Sequence, residues 1–306
     1  MEFNIKRFSV PATELTAYQD FLFPQLLTRL KTTIPEEEYW IAVEAVQDQQ
    51  LIGLALAQYY FINKTAQLFL WSVKENFRHQ GIGSRLFELL EENLKEQENI
   101  SGLGFEYEKN SPSAAVVEKI LMKRQWPTPF VYLVRCHFDA YQFDPDWIHL
   151  LLRLPPHMEM FPWKALTQED RERLAFMADQ GQFLPYLSPF RDEELIHYPS
   201  SLGLRYKGKI VGWNITHLID PDTLRFSILF LDKSYQFTGL GVQLGIQSIL
   251  LQKKLPIPRT VLEVNLQAID LTWRYFVKKK LMPYTDKIER MKWVMKYYTY
   301  ENNKLS

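Results

Sequence analysis

The sequence predicts an α/β protein of the α+β type, in which two copies of one domain each form a mixed, mainly antiparallel sheet flanked by helices. Strand-like and helix-like periodicities alternate along the 306 residues, and a glycine pair at a strand-to-helix junction occurs twice, 158 positions apart. A chain of this length exceeds the usual single-domain size, so two domains of about 150 residues are expected. We expect a first domain at 1–138, a Pro-rich connection at 139–156 and a second domain at 157–306.

Composition excludes several classes of protein. The 36 basic side chains balance 36 acidic ones, so the whole chain has no charge signature of a nucleic-acid binder. Cys136 is the only cysteine, which excludes an internal disulfide and a cysteine-rich zinc site and predicts a buried thiol in a reducing compartment. No signal peptide and no apolar run of the roughly 18 residues needed to span a membrane is found, so a cytoplasmic protein is expected.

The first half alternates strands with helices. Residues 2–8 are strand-like, and 12–30 show apolar residues at helical spacing. Three further strands are predicted at 39–46, 51–62 and 67–73, and the polar QDQQ favours a hairpin turn between the first two. After the glycine turn, leucines at steps of three and four predict a helix with one buried face. The half ends with a strand at 103–107, a helix at 113–124 and a final strand at 130–138.

The second half repeats this order. An apolar start at 158–166 is followed by Thr167, which caps a helix through Leu174 and Met177, with Asp170 at the capping-box position. Strand candidates at 201–206, 210–218 and 224–231 come next. A second glycine pair then leads into a helix with the buried residues Leu244, Ile246, Ile249 and Leu250. The repetition over half the chain indicates two copies of one domain.

The two glycine turns read RHQGIGSRL at 78–86 and SYQFTGLGVQL at 234–244. Glycine adopts backbone conformations closed to other residues and lets a ligand approach the main chain closely. The first turn of a helix adds unpaired N–H groups and a partial positive charge. Both turns therefore suit a phosphate or pyrophosphate, with a purely structural helix start as the alternative.

Two familiar phosphate loops are excluded. A Walker loop requires GK[ST], which neither turn has, and a Rossmann fingerprint requires a third glycine where Leu86 and Leu244 stand. Both turns fit the pattern [RQ]-x-x-G-x-[GA], for which about 0.1 chance matches per chain are expected from composition. The matching residues are Arg78, Gly81 and Gly83 in the first turn and Gln236, Gly239 and Gly241 in the second.

With this motif in both halves, the chain resembles a tandem member of the GNAT superfamily of acyl-CoA-dependent N-acyltransferases, in which the motif cradles the CoA pyrophosphate. The resemblance covers about residues 1–138 and 157–300, and TVLEVNLQA at 260–268 is similar to the family's fifth strand. A helix containing Trp273, Tyr275 and Phe276 follows it. The resemblance implies a splayed sheet in which the pantetheine arm of acetyl-CoA or another acyl-CoA lies between strands four and five.

The same resemblance implies which residues hold the acyl-CoA in each copy. It places the backbone of residues 70–73 beside the pantetheine in the first copy and that of residues 230–231 in the second, while His79 offers a further donor to phosphate. No metal is implied. The full set is Leu70, Trp71, Val73, Arg78, His79, Gln80, Gly81, Ile82, Gly83 and Ser84 in the first copy, and Leu231, Gln236, Thr238, Gly239, Leu240, Gly241 and Val242 in the second.

The chemistry needs an acid and a base. An amine that attacks a thioester loses a proton and the departing thiolate gains one, so positioned groups lower the barrier. The family commonly supplies the acid with a tyrosine on the helix after strand five. Counting forward from LEV gives Tyr275 in the second copy, and counting back from the helix end gives Phe276. The same two counts give Glu118 and Leu121 in the first copy, so no tyrosine stands there.

The base has several candidates, because the family's usual position for it holds no carboxylate in either copy. The carboxylate that many members carry on strand four is absent, because Gln67 and Arg225 align there. Glu108 and Glu263, aligned on strand five, are candidate bases, with solvated or structural carboxylates as the alternative. His217, at the end of a strand, is a further candidate, with an ordinary hydrogen-bonded histidine as the alternative.

We therefore expect a transferase that moves an acyl group from acetyl-CoA or a longer acyl-CoA to the amine of a small molecule or peptide. One copy would be catalytic, and the other degenerate or used for the acceptor. Neither a nucleic acid nor a membrane is expected as a partner. The missing tyrosine and carboxylate positions leave open a non-catalytic acyl-CoA-binding or structural module, or a hydrolase or decarboxylase of CoA thioesters.

Overall fold

The structure is a computed structural model that describes residues 1–9, 14–31, 33–149, 154–269 and 271–299. Its chain divides into two units. Unit 1 comprises Met1–Val131 and the described residues from Met291 onward, and unit 2 comprises Tyr132–Arg290. None of the described helices is both long and apolar enough to cross a membrane.

Strands and helices alternate through both units. The described strands are β1 (Glu2–Phe8), β2 (Glu38–Gln47), β3 (Gln50–Tyr60), β4 (Thr65–Val73), β5 (Gly102–Glu108), β6 (Phe130–Asp139), β7 (Met158–Pro162), β8 (Leu202–Tyr206), β9 (Lys209–Asp220), β10 (Thr223–Leu231), β11 (Arg259–Asn265) and β12 (Lys287–Tyr297). The described α-helices are α1 (Glu14–Tyr18), α2 (Pro24–Lys31), α3 (Ile82–Glu98), α4 (Ala114–Lys123), α5 (Gln168–Asp179), α6 (Leu240–Gln252) and α7 (Leu271–Phe276).

The sheet of unit 1 has the strand order β1-β2-β3-β4-β5-β12. All neighbouring strands are antiparallel except β4 and β5, which are parallel. Helices cover both faces: Ile41 and Leu90 belong to the core on the α3 side, whereas Trp40 and Leu26 belong to the core on the α2 side. Because both faces are buried, the central strands read as nearly continuous apolar runs rather than as alternating ones.

The sheet of unit 2 has the strand order β7-β8-β9-β10-β11-β6. Here β10 and β11 form the parallel pair, and the other pairs are antiparallel. Thr167 and Asp170 form the predicted capping box at the start of α5, and Cys136 is buried as predicted. The mixed, mainly antiparallel sheets with flanking helices confirm the predicted fold class.

The helix predicted at 12–30 is two helices in the structure. After α1 ends at Tyr18 the backbone turns, with the Phe21 N–H donating to the Tyr18 carbonyl (2.8 Å), and α2 starts at Pro24. Proline has no backbone N–H and favours the first turn of a new helix, so it sets this start. Residues 12 and 13 of the predicted helix lie outside the described residues.

The strands β6 and β12 each pair with a strand from the other half of the sequence. The predicted strand 130–138 is present as β6, but it pairs with β11 in unit 2, where Glu263 lies opposite Arg135. The neighbour of β5 in unit 1 is β12, a strand that the sequence pattern did not predict. Residues 132–138 thus lie in unit 2, and the described residues from Met291 onward lie in unit 1.

Two glycines explain why β5 accepts β12. A Cβ at Gly104 would lie 2.5 Å from the Trp293 ring, and one at Gly102 would lie 2.8 Å from the Met295 methyl group. The strand β5 thus leaves space for the large side chains of β12. Packing of this kind depends on cross-strand neighbours that periodicity along one chain does not reveal.

The Pro-rich connection is partly built into unit 2. Phe143 stacks on Phe138 with ring centroids 4.1 Å apart, and both Phe143 and Ile148 belong to the core that α6 and β11 cover. Residues 150–153 of the connection lie outside the described residues.

Candidate functional site

In unit 1 the sheet opens where β4 leaves β5. Their parallel pairing runs from Thr65 to Leu68 on β4 and ends at Phe105 on β5. At Phe69 the register with β3 shifts by one residue, and β4 continues along β3 to Val73. A bulge of this kind bends a strand and increases its twist. The backbone of residues 69–73 therefore lines an opening that points towards the first glycine turn.

The sheet of unit 2 opens in the same way. The pairing of β10 with β11 ends at Phe226 and Leu262, and the register of β10 with β9 shifts at Ser227. Ser227 lies 158 positions after Phe69, the spacing that separates the two glycine turns. Both units thus have the splayed arrangement that the resemblance implies, with Phe230 and Leu231 beside the opening in unit 2.

The first glycine turn has a left-handed backbone. Gly81 has φ of 82° and His79 has φ of 63°. The Arg78 Nε donates to the Val73 carbonyl (3.0 Å), which fixes the turn against the end of β4. The first hydrogen bond of α3 runs from the Arg85 N–H to the Gly81 carbonyl (3.1 Å), so the amides of residues 82–84 precede the helical hydrogen-bond pattern and suit an anion.

The second glycine turn repeats this geometry. Gly239 has φ of 84° and Phe237 has φ of 63°. The Gln236 Nε2 donates to the Leu231 carbonyl (3.0 Å), in the place of the Arg78 contact, and the Gln243 N–H donates to the Gly239 carbonyl (3.0 Å). The two turns therefore share one backbone conformation.

The side chains of the two turns differ in charge. In the first turn Arg78, His79, Gln80, Ser84 and Arg85 are exposed. The residues 158 positions later are Gln236, Phe237, Thr238, Val242 and Gln243, and Asp232 stands where the first turn has Lys74. In the second turn Phe237 is 74% exposed and Thr238 donates to the Tyr235 carbonyl (2.6 Å). Glu75 follows Lys74 and Lys233 follows Asp232, so these two neighbouring pairs are neutral in both turns. The first turn has Arg78 and Arg85 as further cations, whereas the second has an apolar tip and no cation at the matching positions.

An indole lies beside the second glycine of each turn. In unit 1 the Trp71 Nε1 donates to the Gly83 carbonyl (2.8 Å), and its ring stacks on Phe87 at 4.5 Å. In unit 2 the ring comes from Trp273, which lies 3.4 Å from the place of a Cβ on Gly241. Ile82 and Leu240, the first residues of α3 and α6, are buried in the two cores.

In unit 1, Glu118 stands where the forward count expects the family's tyrosine, and its carboxylate is hydrogen-bonded. Glu118 on α4 accepts from the Tyr107 hydroxyl (3.0 Å) and from Lys292 of β12 (2.6 Å). The Lys292 ammonium lowers the pKa of the Glu118 carboxyl, while burial and the bond to Glu118 raise the pKa of Tyr107. Leu121, the other count, is buried in the core, and Glu108 ends β5 opposite Met291.

Tyr107 and Lys292 were not predicted as site residues. Tyr107 follows Phe105 by two positions on β5, beyond the last pair with β4, so it lies on the strand that borders the opening. Lys292 reaches Glu118 only because β12 is the neighbour of β5, and the sequence carries no signal for that pairing.

In unit 2 the candidate acid and base are not joined by a described contact. Tyr275 lies on α7 with 63% of its surface exposed. Glu263 on β11 accepts from Arg135 (2.8 Å). Phe276, the alternative count, packs edge-on against Trp273 at 5.5 Å.

His217 is buried and fully hydrogen-bonded. Its Nε2 donates to the Arg191 carbonyl (2.9 Å), so its Nδ1 accepts from the Ser227 hydroxyl (3.1 Å). Burial, with a smaller contribution from the Arg225 charge, lowers the pKa of His217 to about 4. The imidazole is therefore neutral near pH 7, and its basic nitrogen already has a donor.

The two positions aligned with the family's strand-four carboxylate hold other groups. Gln67 lies opposite Gln58 in the sheet of unit 1. Arg225 forms an ion pair with Asp192 (2.6 Å) in unit 2. Among the described residues no group of three or more His, Cys, Asp or Glu side chains is placed to hold a metal ion.

Comparison with known proteins agrees with this geometry. Residues 7–121 match the model of the Acetyltransferase (GNAT) family. No curated protein matches the chain by sequence. Several solved structures match its fold along nearly its whole length.

One of these is a tandem GNAT protein from the clavulanic acid biosynthesis pathway, at 10% identity and a TM-score of 0.69, covering 98% of this chain and 100% of that one. A GCN5-related N-acetyltransferase from Sphaerobacter thermophilus matches at 12% identity and a TM-score of 0.64, covering 98% and 97% of the two chains. A GCN5-related glucosamine N-acetyltransferase region of a fungal multi-domain β-N-acetylglucosaminidase matches at 15% identity and a TM-score of 0.70; the match covers 96% of this chain and 38% of that protein.

At these identities the structural likeness concerns the fold, while the family model concerns the sequence of the first half. The structural matches agree with two GNAT-like sheets, and the family model covers the first of them. The family model thus assigns residues 7–121 to the GNAT family, and the structural matches show that the chain as a whole has a tandem GNAT fold.

Proposed function

We propose that the protein transfers an acyl group from acyl-CoA to the amine of a small molecule or peptide, and that unit 1 holds the acyl-CoA. The assignment to unit 1 rests on one observation. The two glycine turns have the same backbone conformation, but their side chains differ in charge. A pyrophosphate is anionic, so it favours the turn that has Arg78 and Arg85 over the turn that has Gln236 and Gln243 at the same positions. The amides at the start of α3 would take the phosphate oxygens.

Arg78 is the central basic group of this proposal. It is exposed, and among the described residues no carboxylate pairs with it. Lys74 and Arg85 have carboxylate partners at Asp20 (2.9 Å) and Glu88 (2.5 Å). These two partners reduce the charge that Lys74 and Arg85 offer, whereas Arg78 keeps its charge for a ligand.

The transfer itself makes a bond between the amine nitrogen and the thioester carbonyl carbon and breaks the carbon–sulfur bond. The nitrogen loses a proton to a base, and the leaving thiolate takes a proton from an acid. In unit 1 we propose Tyr107 as the acid, because it lies on the strand that borders the opening and a tyrosine hydroxyl carries a proton at neutral pH. Glu108, the next residue of β5, is the proposed base. In unit 2 the corresponding candidates are Tyr275 and Glu263.

Binding of acyl-CoA tests the assignment to unit 1. We expect Arg78→Gln and Gly81→Val to weaken the binding of acetyl-CoA and longer acyl-CoAs about tenfold or more, since the first removes a charged donor and the second disfavours a left-handed backbone. The matched changes in unit 2, Gln236→Ala and Gly239→Val, should leave the affinity within about twofold. Calorimetric titration measures all four. Weaker binding in the unit 2 variants alone would move the site to unit 2.

Turnover tests the chemistry. Release of CoA thiol is measured with a panel of amines and peptides, and Tyr107→Phe is expected to lower kcat about 100-fold while the affinity for acyl-CoA is kept. Tyr275→Phe is the matched control in unit 2 and should have no such effect; the reverse result would make unit 2 the catalytic one. Thiol release without any amine would indicate a hydrolase instead.

A second candidate function is a non-catalytic acyl-CoA-binding module. It is favoured by Glu118, which stands where the forward count expects the family's tyrosine and which is already bonded to Tyr107 and Lys292. Binding of acyl-CoA without turnover across the whole amine panel would support this module.

We keep the cytoplasm as the proposed compartment, because the one cysteine is a buried thiol.

A further inference from the structure

Unit 2 carries a cluster of charged side chains where β10 and β11 part. Arg225 lies on β10 two residues before the bulge at Ser227, and Glu263 follows the last parallel pair on β11. Arg191 and Asp192 come from the segment between α5 and β8, and the Arg191 carbonyl is held by His217 on β9. Three separate parts of unit 2 therefore bring these side chains together.

The charges of this cluster do not balance. Arg225 pairs with Asp192 (2.6 Å), and Arg135 pairs with Glu263 (2.8 Å). The Arg191 Nε is 3.9 Å from the nearest Asp192 oxygen, and among the described residues no carboxylate oxygen lies within hydrogen-bond distance of this guanidinium. Within the described part of the chain, Arg191 is thus the arginine of this cluster that has no carboxylate at hydrogen-bond distance.

The surroundings of Arg191 make this surplus costly. Its side chain is 32% exposed, and burial lowers its pKa; the Asp192 and Glu263 carboxylates act against this shift, and the Arg225 charge acts with it. The Arg191 Nη1 donates a hydrogen bond to the Tyr186 carbonyl (2.9 Å). The Arg225 Nε is buried without a described partner. His217 cannot supply a balancing charge, because imidazole is either neutral or positive.

We propose that unit 2 binds a small organic monocarboxylate against the Arg191 guanidinium, at the place where β10 and β11 part. A guanidinium presents two parallel N–H donors that match the two oxygens of a carboxylate. A single negative charge balances the single surplus cation. A dianion such as phosphate would be repelled more strongly by the nearby Asp192 and Glu263 carboxylates. The proposal goes beyond the transferase site of unit 1 and does not depend on it.

Titration of the full chain with propionate tests this site. Calorimetry and ligand-observed NMR are carried out at constant ionic strength in chloride, without CoA, so the outcome is independent of acyl transfer. We expect propionate to bind the unaltered protein, Arg191→Gln to weaken binding about tenfold or more, and Arg191→Lys to weaken it less because the charge remains. Arg173→Gln, which removes an exposed arginine on α5, is the matched control and should bind as the unaltered protein does.

Three results would overturn the proposal. Inorganic phosphate is the second probe, and tighter binding of phosphate than of propionate would contradict a monocarboxylate site. Equal binding of propionate by Arg191→Gln and the unaltered protein would place any carboxylate elsewhere. Absence of binding to the unaltered protein would remove the site altogether. Thermal unfolding of each variant in chloride checks that Arg191→Gln is folded, and Arg191→Lys provides the comparison if it is not.

Discussion

Both ring nitrogens of His217 have hydrogen-bond partners, and the ring has no exposed surface. Its pKa in the folded protein is about 4, below the value of about 6.5 expected for an unfolded chain. Between these two values the unfolded state takes up a proton that the folded state does not. The contribution of the neutral imidazole to stability is therefore complete above about pH 6.5 and declines as the pH falls towards 4.

We predict that His217→Gln removes this part of the acid sensitivity. Between pH 7.5 and pH 5 the unaltered protein should lose about 2 kcal/mol of unfolding free energy at this residue, and the variant should not. Urea unfolding at the two pH values measures the difference. His149→Gln changes an exposed histidine and should behave as the unaltered protein does. Equal pH dependence of His217→Gln and the unaltered protein would mean that the imidazole is not held neutral.

At the scale of elements, the pairing of β5 with β12 depends on the space above two glycines. A Cβ at Gly104 would meet the Trp293 ring at 2.5 Å, and the ring carbon next to it at 2.7 Å. The ring is part of a side chain held between strands, so a substituent there would force it out of place. Overpacking of this kind costs about 1–3 kcal/mol.

Gly104→Val is accordingly expected to lower the free energy of unfolding of unit 1 by about 1–3 kcal/mol. Chemical unfolding followed by Trp fluorescence is a suitable measurement, because Trp293 lies at the altered place. Gly245→Ala is the matched control: it lies in α6 with no atom within 4 Å of the added Cβ, and alanine favours a helix over glycine by about 1 kcal/mol. An unchanged stability of Gly104→Val would show that β12 does not pack on β5 as described.

The elements before β12 could be predicted from the sequence because their signals are local. The bulk of β2 and β3 lies in apolar runs, and the two glycine turns stand between a strand and a helix. The strand β12 could not be predicted in this way, because Lys292 and Lys296 interrupt its apolar pattern and its partner lies about 190 positions earlier. The contacts of Tyr107 and Glu118 with Lys292 were missed for the same reason.

At the scale of the whole molecule, β12 joins unit 1 by charge as well as by its strand register. The Lys296 ammonium donates to Glu91 of α3 (3.1 Å) and to the Arg124 carbonyl (2.8 Å), and the Tyr298 hydroxyl donates to Glu91 (2.8 Å). Glu91 is buried, and Arg124 pairs with it as well (2.7 Å). Removal of one partner from a buried charge cluster is strongly destabilising.

We therefore predict that a chain without the residues from Met291 onward loses the binding of acyl-CoA and the cooperative unfolding of unit 1. A synthetic peptide of residues 291–299, added to the shortened chain, should restore both, since it supplies the strand residues that pair with β5 and the two donors to Glu91. Calorimetry with acetyl-CoA measures the recovery. A peptide in which Lys296 and Trp293 are replaced by alanine is the control and should restore less. Full binding by the shortened chain alone would contradict the role of β12 in unit 1.

The placement of β6 in unit 2 and of β12 in unit 1 also has a consequence for folding during synthesis. Unit 2 is complete once Arg290 has left the ribosome, whereas unit 1 still lacks the residues from Met291 onward that pair with β5. The part of unit 1 that is translated first keeps an open edge at β5 until the residues that pair with it, from Met291 onward, are available. The later half can therefore complete its fold first, in contrast to the usual N-to-C order of domain folding on the ribosome.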